Sequence, residues 1–205
     1  GDWSSDVCSS DLTALPLAQR IEAPRLRVVS EVVRLPLKQP SVAEIRQSRE
    51  LLKAIQGGQK SEFLEQVAAY RMIMLDLYLN REPQGPAQEL ISTGLSHRLA
   101  GIGAELPVEV HALCLGEDLA FVFLPGEVFV ELGLAIKQGS PFRQTHVVEL
   151  SNFVETFYIP NRPAYAQGSY EVTNSALQPG GGEMLVEAAL RLLRQASQPP
   201  VSNTP

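Results

Sequence analysis

The sequence predicts an α/β fold, a mixed sheet flanked by helices. Two observations carry that expectation. From residue 105 onward, alternating β-branched segments and a helical segment follow in strand–turn–strand–helix–strand order, which places helices on a sheet. Before them stand one strand and two amphipathic helices of ordinary length. With 205 residues, the chain has the size of about one domain and enough material for a core.

The elements follow in order. "LRVVSEVVRLPLK" (26–38) is rich in β-branched residues and reads as a strand, with Pro36 marking an edge or an end. "SVAEIRQSRELLKAIQGG" (41–58) has the marks of a helix with both ends signalled. Ser41 and Glu44 form a capping box, Gly57 sits past the last turn, and Ile45, Ser48, Leu52 and Ile55 line one face. A second helix is expected over 61–81. Phe63, Leu64, Val67, Tyr70, Met74 and Leu75 fall at helical spacing, and Met72, Ile73 and Leu77 add a second buried side. "REPQGP" (81–86) is a loop, and 87–104 fits either a frayed helix or a loop.

"PVEVHALCLG" and "LAFVFLP" predict two strands joined by a turn at 116–118. "GEVFVELGLAIKQG" (126–139) predicts a helix closed by Gly139, and "QTHVVELSNF" (144–153) a further strand. Residues 154–182 read as irregular. A stretch of that length inside a compact domain points to function, and its three tyrosines argue against disorder. "EMLVEAALRLLRQ" (183–195) is an amphipathic helix with Leu185, Ala189, Leu192 and Leu193 on one side, and 197–205 reads as a disordered tail.

The opening "GDWSSDVCSSDL" has neither the basic start nor the apolar run of an export signal. It resembles the translated read-through of a sequencing-library adapter, so residues 1–12 are set aside as an artefact. Leaving out their three aspartates takes the net charge from −6 to −3. No basic cluster stands out, which argues against a nucleic-acid partner. No apolar stretch has the roughly 18 residues expected of a transmembrane segment. Outside residues 1–12 the only cysteine is Cys114, which reads as a buried, inert thiol.

Common catalytic motifs are absent. "GIGAEL" and "PGGGE" are too short for a dinucleotide or phosphate loop, and "GLSHRL" lacks the glycines of a nucleophile elbow. Gly180–Gly182 before a helix could receive an anion, but a flexible turn is the simpler reading. His97, His111 and His146 are scattered. In "FVFLPGEVFVELG", Glu127 follows a strand end and a Pro-Gly pair, where α/β folds place their sites; alternatively it complements a helix dipole.

"LPGEVFVELG", "SNFVETFYIPNRPAYAQGSYEV" and the Gly-Glu start of the last helix occur in this order. Together they resemble the C-terminal part of the catalytic domain of the neutral (non-lysosomal) ceramidases, over roughly residues 25–195. Members of that family are zinc amidases that split an N-acylsphingosine into a fatty acid and a sphingoid base. The resemblance implies Zn²⁺ as cofactor, with Glu127 and Tyr158 as metal ligands and Tyr170 as the catalytic hydrogen-bond donor to the reacting carbonyl. It implies a lipid amide or other small amide as substrate. It also implies that residues 13–196 are the C-terminal part of a domain, and that the N-terminal half, with two histidine ligands, is missing. On that basis residues 13–205 alone should bind zinc weakly and leave ceramide intact. The alternative is a ceramidase-like scaffold without catalysis, serving as a binding or structural module.

Overall fold

In the computed structural model, the described residues are 15–18, 25–80, 99–152 and 158–198. The suspected adapter segment 1–12, His97 and residues 199–205 of the expected tail lie outside them. A short 3₁₀ turn at Leu15–Leu17 precedes the first strand.

Four strands make one mixed sheet. They are β1 (Leu26–Pro36), β2 (Glu105–Leu115), β3 (Leu119–Phe123) and β5 (Gln144–Val148), in spatial order β1-β2-β3-β5. β1 and β2 pair antiparallel along their whole length, from Leu26 opposite Leu115 to Pro36 opposite Glu105. β3 is antiparallel to β2 and parallel to β5. A second, two-stranded parallel sheet joins β4 (Glu127–Val128) to β6 (Tyr158–Ile159).

Alternation decides which face is the core. On β2, Leu106, Val108, Val110, Ala112 and Cys114 all point inward and are fully or almost fully buried. Val33 and Leu35 of β1 and Ala120 and Val122 of β3 share that face. The opposite face carries Leu26, Val28 and Val32, which remain 59–60% exposed. Against the inner face lies the last helix, α6 (Gly181–Ser197), whose Leu185, Ala189, Leu192 and Leu193 are buried as the sequence anticipates, together with Ala188. Each large apolar side chain buried there contributes on the order of 1.5–3 kcal/mol.

The first two helices are α1 (Val42–Gln56) and α2 (Phe63–Leu79). The capping box forms as expected: Glu44 N donates to Ser41 Oγ at 3.2 Å, and Ser41 N donates to Glu44 Oε2 at 2.7 Å. α1 packs on α2 through Ile45, Leu52, Ala69 and Ile73, with an Arg49–Asp76 ion pair across the joint. The expected apolar face of α2 holds only in its second half. Residues from Ile73 to Tyr78 are buried all round, whereas Phe63, Leu64 and Tyr70 are 45–64% exposed.

Three boundaries differ from the sequence reading. Residues 126–139 do not form one helix: β4 comes first, and helix α3 (Val130–Gly139) starts after Phe129. β5 stops at Val148 rather than running to 153. The stretch 154–182 is not irregular throughout. Its described residues hold β6 and two short helices, α4 (Ala164–Gln167) and α5 (Tyr170–Asn174), and they include the start of α6 at Gly181.

Candidate active site

The chain leaving β3 and the chain leaving β5 run on side by side. Leu124 N donates to Val148 O, Leu150 N to Gly126 O and Ser151 N to Leu124 O, each at 2.9 Å. Gly126 takes φ 66°, a left-handed conformation that glycine adopts without steric cost. Leu150 at φ 53° and Asn152 at φ 65° are left-handed without being glycine. Asn152 tolerates this and donates its side-chain amide to Glu109 O at 3.3 Å, but Leu150 stores roughly 1–2 kcal/mol of strain. This turn ends β5 before residue 149. It also lets the Glu149 carboxylate accept from Val128 N at 2.8 Å, which fastens β4.

Register then aligns the candidates. Glu127 and Tyr158 are directly paired in the β4–β6 ladder, and Phe129 N donates to Ile159 O at 3.1 Å. Glu127 therefore belongs to a strand rather than a helix start. The acidic residue in the first turn of α3 is Glu131. Tyr170, the first residue of α5, meets the Tyr158 ring edge-on, with centroids 5.7 Å apart at 73°. Its ring also stacks on Phe63 at 5.7 Å and 20°. Burial holds the Tyr158 phenol above its ordinary pKa, aided by the negative charge of Glu127 and Glu171.

β6 owes its position to the glycines that open α6. A Cβ on Gly182 would lie 2.9 Å from Pro160 O and 2.5 Å from Leu132 Cδ1. Glu183 Oε1 accepts from Arg162 N at 2.7 Å. Gly180 closes the turn before the helix, and Gly181 and Gly182 open the helix itself, packed against the strand that carries Tyr158. Tyr165 serves the scaffold. Its hydroxyl donates to Leu177 O at 3.0 Å, and Lys38 Nζ lies 5.7 Å from its ring centre.

The three residues named from the sequence are thus gathered by one pair of short strands and one short helix. Glu127 and Tyr158 carry hard oxygen donors at paired backbone positions, residue types that suit part of a zinc site. The described residues contain no group of three His, Cys, Asp or Glu able to hold a metal. Of the histidines, His111 Nε2 lies 3.0 Å from Glu109 Oε2, and His146 stacks on Phe121. Sequence reasoning missed Asn174, whose Nδ2 donates to Tyr170 Oη at 3.2 Å, as well as the buried Arg71 behind it and Phe63. The signal for Asn174 was present: a polar residue four positions after a candidate tyrosine shares its helix face.

The fold and site define a mixed α/β domain with a carboxylate and two phenols at one end of its strands. No family model and no curated protein matches the chain. Among solved structures it is similar to the neutral ceramidase from Pseudomonas aeruginosa, at 15% identity and a TM-score of 0.43, over 88% of this chain and 30% of that one. The chain thus spans under a third of that protein's length. A likeness this distant leaves the chemistry to be argued from the site itself. Among the described residues, no helix is long and apolar enough to cross a membrane.

Proposed function

We propose that the chain carries part of the active site of a ceramidase-like, zinc-dependent amidase acting on a lipid amide or a related amide. The observation that supports this most is the direct pairing of Glu127 with Tyr158, with Tyr170 against the second of them. Glu127 and Tyr158 would hold Zn²⁺, with nitrogen ligands supplied from elsewhere in the parent protein. The ion would supply Lewis acidity toward the amide carbonyl and toward water. Near that carbonyl, the Tyr170 hydroxyl donates a hydrogen bond to the oxygen as negative charge builds on it. Burial and the charge of Glu127 raise the Tyr158 pKa, a bias that a bound cation would have to offset for the phenolate to form.

Zinc titration of residues 13–205 by calorimetry tests the ligand assignment. Weak binding that disappears in both Glu127→Gln and Tyr158→Phe is expected. Binding that survives both substitutions would overturn the assignment. Extending the chain with its upstream reading frame tests the activity: two metal-spaced histidines and hydrolysis of an N-acyl amide are expected. In that protein Tyr170→Phe should lower kcat by about 100-fold or more.

A further inference from the structure

We propose that Arg71 and Asn174 are positioning residues that fix the direction of the Tyr170 hydroxyl, so that its oxygen accepts from the protein and its hydrogen is left for the site. The proposal rests on the reading of Tyr170 as the donor to the reacting carbonyl, and it adds what sets that donor.

The argument is one of donors and acceptors. Arg71 is only 4% exposed, and its Nη2 donates to Asn174 Oδ1. A guanidinium has donors only, so it can meet the amide only through its oxygen. That settles which way the Asn174 amide faces: its NH₂ end turns toward Tyr170, and Nδ2 donates to Tyr170 Oη at 3.2 Å. An amide nitrogen does not accept. The phenol oxygen must therefore receive this bond, and its own O–H points elsewhere.

The ring is held independently of the hydroxyl. Phe63 stacks on one face and Tyr158 meets the ring edge-on. Phe63 and Arg71 lie eight residues apart on α2, about two turns, and so share the helix side that packs on α5. A second Arg71 nitrogen, Nη1, donates to Met74 Sδ at 3.1 Å, which anchors the guanidinium to its own helix. Lys38 Nζ donates to Val172 O at 2.8 Å and to Ser175 O at 2.7 Å, fixing the end of the short helix that carries both Tyr170 and Asn174.

The test reads the phenol directly, in the metal-free chain. The C–O stretch of a tyrosine falls when its oxygen accepts a hydrogen bond and rises when its O–H donates to an anion. Infrared spectra of ζ-¹³C-tyrosine protein, differenced against Tyr170→Phe, isolate the band of Tyr170. Asn174→Asp keeps size and gains an ion pair with Arg71, so the protein should unfold no earlier than wild type. A carboxylate can only accept, so Tyr170 must now donate to it and the band should move to higher wavenumber. Arg71→Met releases the amide to turn and should shift the band the same way, and Arg71→Lys should restore it. A Tyr170 band unmoved in Asn174→Asp overturns the proposal, whatever zinc titration shows. If the band moves as expected while zinc binding ignores Glu127 and Tyr158, the amidase reading falls and the hydrogen-bond assignment stands.

Discussion

Gly182→Ala separates what a helix prefers from what this fold permits. Gly182 is the second residue of α6, and its φ is not left-handed. By helix propensity alone, alanine should stabilise by up to about 1 kcal/mol. The structure predicts the opposite sign. The added methyl would lie 2.5 Å from Leu132 Cδ1, 2.9 Å from Pro160 O and 3.4 Å from Ile159 Cγ2. Leu132 can give way by changing rotamer, but Pro160 O is backbone and retreats only if β6 moves. Overpacking of this kind costs about 1–3 kcal/mol, leaving a net loss of up to about 2 kcal/mol after the propensity gain. For a chain of this size that is up to roughly 8 °C in Tm. Gly133→Ala is the internal control. It lies inside α3 with no atom within 4 Å of an added Cβ, so it should stabilise by up to about 1 kcal/mol. Urea unfolding of both variants gives the two signs. Gly182→Ala at or above wild-type stability would refute the claim that α6 and β6 are packed to backbone contact.

Other consequences are equally open to measurement. Burial, with the charge of Arg71, brings the Lys38 pKa down to about 8. The unfolded chain then binds the extra proton between about pH 8 and the ordinary lysine value, so stability should rise with pH across that window. The shift sets an upper limit of about 3 kcal/mol, and solvent screening of a partly exposed group reduces this to about 1 kcal/mol. Urea midpoints at three pH values between 7.5 and 9.5 should show the rise, and Lys38→Met should flatten it. Asp76→Ala removes the acceptor for Arg49 and for Asn80 Nδ2, and should cost about 2–3 kcal/mol by the same assay. In a Cys8→Ser background, Cys114 should react with a thiol reagent only on unfolding, since its side chain is fully buried and burial raises its pKa. Rapid labelling of the folded protein would contradict its place in the core.

Local signals in the sequence account for much of the fold. The capping box at Ser41 and Glu44, the glycine after α1, the alternation of β2 and the apolar stripe of α6 depend on neighbours within a few residues, and all appear where the sequence puts them. The mixed sheet follows from them, because a helix between two strands returns the second parallel to the first. Other features depend on partners far along the chain. Phe63 and Leu64 keep helical spacing yet stay exposed, because periodicity says which residues share a face and not whether anything covers it. Two-residue strands such as β4 and β6 carry no periodicity of their own. They exist because Glu149, Gly126 and Gly182 bring their backbones together. The sequence by itself named the candidates Glu127, Tyr158 and Tyr170, and determined the longer strands and helices of the scaffold. Only the tertiary structure decided that Glu127 faces Tyr158 across a ladder rather than capping a helix. It alone brought Arg71 against Asn174 behind Tyr170, since a contact between residues about a hundred positions apart is fixed by packing and not by local sequence.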